Sequence, residues 1–243
     1  MRPLSQTPTV GRGTMLLVAL ALTACGAGQA AAPSAPTADT ATITTAVPTV
    51  ASAATAPAAA SAATVDRGEG DPNAPVKVIE YSDFQCPYCA VFVRETLPQL
   101  KAEYIDTGKV YFEYRDFPIT EIHGSAVLAA HAANCAAVQG NFFPMHDRLF
   151  QGQEAGEWGE NLSEDFAVFL GYARELNIDA QALQDCVQGQ QFAPQIAQDY
   201  QEALAAGVES TPHFLVNGAP LIGAQPFEVW QRTLDAALEE SGQ

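Results

Sequence analysis

The sequence predicts an α/β domain in which a block of helices interrupts the order of the strands. Three observations carry this prediction. The stretch Val76 to Tyr81 alternates and is rich in β-branched residues, which is typical of a strand. Apolar residues then recur at helical spacing from Ala90 to Leu100. Far downstream, the dipeptide Asn217-Gly218 lies between two short apolar runs and indicates a hairpin.

The remaining elements fill in this order. Val110 to Tyr114 alternates like a second strand, and helical spacing then dominates a block of about residues 122–206. The hairpin pairs His213 to Val216 with Ala219 to Ile222, and a last helix runs from Pro226 to about Glu239. The resulting order is β, α, β, helical block, β, β, α. This is the order of a thioredoxin fold with an inserted all-helical domain.

The motif Cys86-Pro87-Tyr88-Cys89 lies where the first strand hands over to the first helix. Unpaired N–H groups and the positive end of the helix dipole stabilise a thiolate there, so we expect a lowered pKa for Cys86. Pro87 suits the first helical turn, where its missing N–H is not needed. A Cys-x-x-Cys motif alone is weak support, because zinc and iron–sulfur sites use it too.

The N-terminal 24 residues read as a secretory signal, with two arginines, no acids and a short apolar run. The segment ends Leu22-Thr23-Ala24-Cys25, which resembles the lipobox of bacterial lipoproteins. That resemblance implies lipid on Cys25 and a membrane anchor. The alternative is an ordinary cleaved signal followed by an incidental cysteine.

Residues 25–65 predict a tether, because 17 of the 40 residues after Cys25 are alanine and most others are Thr, Pro, Ser or Gly. A segment that folds on a partner is the alternative reading. Residues 66–243 are then the folded domain, long enough for a hydrophobic core. The net charge of −17 argues against nucleic acid and against docking on anionic lipid headgroups.

With Cys25 set aside for lipid, four cysteines remain in a compartment where disulfides persist. Pairing Cys86 with Cys89 is local, which leaves Cys135 and Cys186 for each other. Such a bridge closes a loop of about 50 residues and is worth ~4 kcal/mol in the chain-entropy model. Two buried free thiols are the alternative.

Residues 71–243 resemble the DsbA-like thiol:disulfide oxidoreductases of the DsbA/BdbD type. The resemblance rests on three features: the motif Val-Ile-Glu-Tyr-Ser-Asp-Phe-Gln-Cys-Pro-Tyr-Cys at residues 78–89, the helical insertion, and Thr211-Pro212 before the Asn-Gly hairpin. It implies that Cys86 is a solvent-facing nucleophile and Cys89 its buried partner. It also implies that Pro87 and Tyr88 contact substrate, with Tyr88 in the position that tunes the thiolate.

Three further residues gain a role only through this resemblance. Pro212 matches the cis-proline opposite the cysteines, which turns the Thr211 backbone toward an extended substrate chain. A trans proline that starts a strand is the alternative. Glu80 matches a buried acid that relays protons to Cys89, and a solvated or lysine-paired carboxylate is the alternative. We expect His213 to be a hydrogen-bonded structural histidine, and His123, His131 and His146 to be structural too.

The resemblance implies an oxidase that donates disulfides to reduced secreted or surface proteins outside the cytoplasm. A membrane quinone-linked partner of the DsbB or vitamin-K-reductase type would reoxidise it. We expect a monomer without cofactor or metal. In the DsbA protein itself Tyr88 is replaced by histidine, so a reductase is the nearest alternative. A copper- or zinc-handling protein using Cys86, Cys89 and His213 is a more distant one.

Overall fold

The computed structural model describes residues 64–159 and 161–242. The predicted signal peptide, Cys25 and nearly all of the predicted tether lie outside these ranges. None of the helices in the described ranges is long and apolar enough to cross a membrane.

A five-stranded sheet forms the centre of the domain, in the order β1-β3-β2-β4-β5. Strands β2 and β3 are parallel, and the other neighbours are antiparallel. The strands are β1 Gly68–Glu69, β2 Val76–Ser82, β3 Val110–Asp116, β4 His213–Val216 and β5 Ala219–Ile222. Four of them follow the sequence prediction. Strand β1 was not predicted, because two residues are too short to show an alternation.

One continuous helical run follows β2 and contains two π-helical segments. It comprises α1 Pro87–Val91, the π-helical segment π1 Phe92–Thr96, α2 Leu97–Leu100 and the π-helical segment π2 Lys101–Ile105. Pro98 in α2 has no N–H to donate, so the α-helical hydrogen-bond ladder is interrupted between the two π-helical segments. The sequence pattern predicted the helix but not its π-helical segments.

Five helices follow β3, and one more follows the hairpin. They are α3 Ala126–Ala137, α4 Phe142–Glu154, α5 Leu162–Glu175, α6 Ala180–Gln188, α7 Ala193–Ala205 and α8 Phe227–Glu240. Asn161 begins α5 by accepting from the N–H of Ser163 at 3.0 Å, and Asp179 caps α6 in the same way. A disulfide joins Cys135 on α3 to Cys186 on α6, with Cα atoms 5.9 Å apart.

The motif Cys86-Pro87-Tyr88-Cys89 lies where two hydrophobic cores meet. One core fills the helical block and includes Phe84, Phe150 and both cysteines of the motif. The other lies between the sheet, π1 and α8, where Phe214 packs on Phe92 with ring centroids 4.5 Å apart. The motif therefore bridges the helical insertion and the sheet.

The start of the domain is fixed by a buried ion cluster. The Nη1 atom of Arg67 lies 2.7 Å from Asp116 Oδ2 and 2.6 Å from Asp199 Oδ2, and all three side chains are buried. Asn134 also donates to Asp116 at 2.8 Å. Val65 lies two residues before Arg67, and its backbone exchanges hydrogen bonds with the Gln195 side chain. The chain that leaves the predicted tether is thus held to β3 and α7.

Candidate active site

Cys86 occupies the N-cap of α1, with extended backbone angles of φ −69° and ψ 120°. Its N–H donates to the Asp83 carbonyl at 3.0 Å, and its carbonyl accepts from Ala90. Cys89 lies one turn inside the helix, and both residues are free thiols. The predicted placement of the pair at the helix tip is therefore what the structure has.

The two cysteines differ little in exposure, whereas the sequence analysis expected Cys86 to face solvent and Cys89 to be buried. Cys86 is 5% exposed and Cys89 0%, so Cys86 does not face solvent as openly as the sequence prediction had it. The reason is the loop before β4. The Cys86 thiol donates to the Thr211 carbonyl at 3.4 Å, and this loop covers the sulfur.

The two thiols differ strongly in proton affinity. The pKa of Cys86 falls to about 6, chiefly because the Cys89 thiol hydrogen-bonds to its sulfur, with contributions from the backbone N–H groups of Cys89 and Tyr88. Complete burial raises the pKa of Cys89 well above its ordinary value, and the neighbouring Cys86 and Glu80 charges raise it further. At neutral pH the pair is one thiolate beside one thiol.

The Thr211-Pro212 peptide bond is cis, and it faces the motif through the Thr211 carbonyl. Both residues are buried, and the Pro212 carbonyl accepts from Gly223 N–H at 2.9 Å. The exposed part of the motif is the pair of residues between the two cysteines. Pro87 is exposed, and Tyr88 exposes 67% of its surface beside Cys86.

Glu80 is completely buried on β2, and neither carboxyl oxygen has a protein hydrogen-bond partner. Burial raises its pKa to about 8, the nearby Ser82 hydroxyl opposes the rise, and the charge on Cys86 adds to it. The alternative of a solvated or lysine-paired carboxylate does not fit this environment. Glu80 is thus a mostly neutral acid at pH 7, and once it is ionised its charge raises the pKa of Cys89.

His213 does not join this group. It pairs in register with Tyr81, and successive side chains of a strand point to opposite faces, so it lies on the other face of the sheet from Glu80. Its Nε2 atom is buried without a protein partner, so the prediction of a satisfied histidine is wrong for this atom. Among the residues that the structure describes, no group of three or more His, Cys, Asp or Glu side chains is placed to hold a metal ion.

Two side chains from the loop that precedes Cys86 connect the motif to the helical insertion, and the sequence analysis missed them. Asp83 is buried and accepts from the Ile119 N–H at 2.7 Å and from His123 Nδ1 at 2.8 Å. Gln85 accepts from the Ser125 N–H and donates to the Gly159 carbonyl at 3.2 Å. Only their position next to Cys86 could have drawn attention to them.

Comparison with known proteins agrees with this geometry. The profile of the family described as Thioredoxin matches residues 63–236. The chain belongs to the thioredoxin family. Its architecture is the thioredoxin fold with a helical insertion that the sequence predicted.

Similar proteins within the family include named disulfide-forming proteins. The crystal structure of oxidised BdbD from Bacillus subtilis superposes with a TM-score of 0.64 at 25% identity, covering 72% of this chain and 93% of BdbD. A probable disulfide bond formation protein D from Bacillus cereus is 27% identical over 173 residues, which are 70% of this chain and 78% of that protein. The predicted resemblance to the DsbA/BdbD type is thereby confirmed.

A second set of relatives is much longer. A Na⁺/H⁺ antiporter NhaA 3 from Salinispora tropica is 37% identical over 153 residues, which are 63% of this chain. The chain spans only 22% of that antiporter's length.

Proposed function

We propose that this thioredoxin-family chain is a thiol:disulfide oxidoreductase that works as a disulfide-donating oxidase outside the cytoplasm. The observation that carries the proposal is the asymmetric pair at the helix tip. Cys86 has a pKa of about 6, while that of Cys89 is raised by burial. A thiolate stabilised in this way is a good leaving group and favours the reduced enzyme, which makes the disulfide form oxidising.

The reaction begins with Cys86 and Cys89 joined by a disulfide. A substrate thiolate attacks the Cys86 sulfur, the electron pair of the disulfide moves to Cys89, and a mixed disulfide with Cys86 forms. A second substrate thiolate then attacks the substrate sulfur of this mixed disulfide. The substrate leaves oxidised, and Cys86 leaves as a thiolate.

The other residues of the site support these two steps. Cys89 needs a proton when it leaves, and the neutral Glu80 carboxyl, whose pKa is about 8, can supply it. The Thr211 backbone lies against the Cys86 sulfur, where it can pair with an extended substrate chain beside Pro212. Pro87 and the exposed Tyr88 offer the first surface that a substrate meets.

A reductase would use the same residues in the opposite direction, so direction must be measured. The reduction potential of the Cys86/Cys89 couple separates the two functions. We expect a value near the roughly −120 mV of DsbA. A value near the roughly −270 mV of thioredoxin would contradict the oxidase and favour the reductase.

The proposal includes a location and partners. The predicted signal and the lipobox-like sequence before Cys25 support export and lipid anchoring. The disulfide between Cys135 and Cys186 fits an oxidising compartment. The substrates are reduced secreted or surface proteins, the reoxidant is a quinone-linked membrane protein of the DsbB or vitamin-K-reductase type, and the chain acts as a monomer.

Two other functions gain no support. Sodium–proton exchange belongs to relatives of which this chain spans less than a quarter. The metal-handling alternative required Cys86, Cys89 and His213 together. Because His213 lies on the face of the sheet opposite to Glu80, whereas Cys89 senses the charge of Glu80, this ligand set is not supported.

A further inference from the structure

Three polar side chains close to Cys89 are buried without protein hydrogen-bond partners. They are Ser82, Tyr114 and Glu80. No partner meets hydrogen-bond geometry for the two hydroxyls and both carboxyl oxygens, although Ser82 approaches Glu80 and Cys89 closely enough to lower the pKa of each. The residues expose 1%, 0% and 0% of their surface. Buried polar groups in proteins are almost always hydrogen-bonded, directly or through ordered water, so a cluster of unpartnered groups calls for an explanation.

The three side chains share one face of the sheet. Glu80 on β2 is the register partner of Tyr114 on β3, and Ser82 lies two residues from Glu80, on the same side of the strand. Burial raises the pKa of Tyr114 well above its ordinary value, and charges on Asp116, Glu80 and Cys89 raise it further. The register thus places Tyr114 beside Glu80, on the face of the sheet that also carries Ser82.

Glu80 has no cation to balance its charge. No lysine or arginine forms an ion pair with it in residues 64–159 and 161–242, and Arg67 is engaged by Asp116 and Asp199. The titratable groups around Glu80 and Tyr114 are Cys86 and Cys89 from α1, Asp83 from the loop, Asp116 from β3, and His146 from α4, whose ring lies 5.3 Å from that of Tyr114. An ionised Glu80 can thus be stabilised only by neutral donors.

We propose that Tyr114 and Ser82 hold an ordered water against the Glu80 carboxyl, and that this group stabilises the carboxylate that forms when Glu80 protonates Cys89. The proposal rests on the proposed function. A buried water typically has two to four polar partners, and these hydroxyl and carboxyl groups supply them. Tyr114 and Ser82 are then positioning residues that act through Glu80.

The proton balance is simple. The electron pair of the broken disulfide leaves on the Cys89 sulfur, and the Glu80 proton moves to that sulfur. Glu80 becomes a carboxylate, to which the Tyr114 hydroxyl donates through the water. A proton from solvent restores the neutral acid before the next cycle.

Tyr114→Phe tests this role, because it removes the hydroxyl and keeps the ring. Tyr81→Phe is the matched control, since it removes a hydroxyl from the neighbouring residue of Glu80 on the opposite face of β2. The measurement is a carbon-13 titration of the Glu80 carboxyl in the reduced full chain, with Glu80→Gln to assign the signal. We expect the pKa of Glu80 to rise from about 8 by about one unit or more in Tyr114→Phe and to stay unchanged in Tyr81→Phe.

An unchanged Glu80 titration in Tyr114→Phe, or an equal rise in Tyr81→Phe, would overturn the proposal. If Tyr114→Phe does not fold, Ser82→Ala decides instead, and it too must raise the pKa of Glu80. The titration needs no turnover. A wild-type chain that fails to oxidise substrates would therefore remove the proposed function without affecting this result, and an active oxidase with an unchanged titration would remove only the role of Tyr114 and Ser82.

Discussion

At the scale of single residues, the notable feature is that two thiols of one four-residue motif have opposite proton affinities. Cys86 lies at the helix N-cap, where N–H groups and the Cys89 thiol surround its sulfur. Cys89 lies one turn deeper, where it is fully buried beside Glu80. Desolvation and a neighbouring acid disfavour a charge on Cys89, whereas the helix tip favours a charge on Cys86. The helix geometry therefore supports the proposal that Cys86 is the nucleophile.

This assignment predicts different outcomes for two serine variants. Cys86→Ser removes the attacked sulfur, so oxidation of a reduced test protein should be lost. Cys89→Ser keeps the Cys86 thiolate, which can attack an existing client disulfide and release one client thiolate. We expect these mixed disulfides to accumulate in cells, because no Cys89 thiol is present to attack the Cys86 sulfur and release the client. Non-reducing electrophoresis separates the adducts. Wild-type oxidation by either variant would contradict the assignment.

A second prediction concerns pH. Because the pKa of Cys86 is about 6, the thiolate is present above that pH and is lost as the pH falls through it. The alkylation rate of the reduced chain should rise with pH, with a midpoint of about 6, rather than near the ordinary thiol value of about 8.5. Mass spectrometry of the Cys86 peptide measures the rate.

The largest cause of the lowered pKa of Cys86 is the hydrogen bond from Cys89. Cys89→Ala removes this donor, so the alkylation midpoint should move to higher pH. Cys89→Ser retains an O–H donor and serves as the matched control, with a smaller shift. Equal midpoints in the wild type and Cys89→Ala would show that the helix terminus alone stabilises the thiolate.

At the scale of elements, the sequence predicted what repeats or has a strong local signal. The alternation of β2 and β3 and the Asn217-Gly218 turn, where both residues have positive φ, led directly to the sheet. Changes of register in the helix after Cys89 could not be predicted, because apolar spacing does not resolve a π-turn from an α-turn. Glu80 and Pro212 were found only through family resemblance.

Long-range polar contacts were beyond the sequence for a different reason. Asp83 and Gln85 look like ordinary loop residues, and their partners lie about 40 or more residues away in the chain. Arg67 likewise gave no signal, although it is buried between two carboxylates. Periodicity reports which face of an element is apolar, but it does not report which buried polar groups meet.

The disulfide between α3 and α6 makes a prediction at this scale. Replacing both Cys135 and Cys186 by alanine opens a loop of about 50 residues, so the free energy of unfolding should fall by about 2 to 5 kcal/mol. Denaturant unfolding under oxidising conditions measures the loss. The alkylation midpoint of Cys86 should not change, and a shift there would show that the bridge also shapes the active site.

The ion cluster around Arg67 leads to a second prediction at the scale of elements. Arg67→Met leaves Asp116 and Asp199 buried without their cation, which should cost about 3 to 5 kcal/mol of stability. The control is Arg94→Met, because Arg94 is half-exposed and pairs with the exposed Glu95, where a bridge is worth about 0 to 1 kcal/mol. Similar unfolding midpoints for the two variants would contradict a structural role for the cluster.

At the scale of the whole molecule, charge and chain layout fit one purpose. The chain carries a net charge of −17, so its surface gains nothing from anionic headgroups. The predicted lipid on Cys25 would supply the placement at a membrane that this charge does not favour. The tether predicted between Cys25 and the folded domain, treated as a flexible coil, spans roughly 35 Å and would let the domain reach clients near the membrane.

This layout predicts that Cys25→Ser separates location from chemistry. Loss of the predicted acylated cysteine should move the chain from the membrane fraction to the soluble fraction, because two or more acyl chains give stable anchoring and the variant has none. The redox pair lies about 60 residues further along, so the reduction potential should match that of the wild type. Ser34→Ala, a change within the tether, should leave the chain in the membrane fraction. A Cys25→Ser chain that stays with the membrane after its signal has been removed would mean that another surface binds, and the predicted lipid anchor would then be wrong.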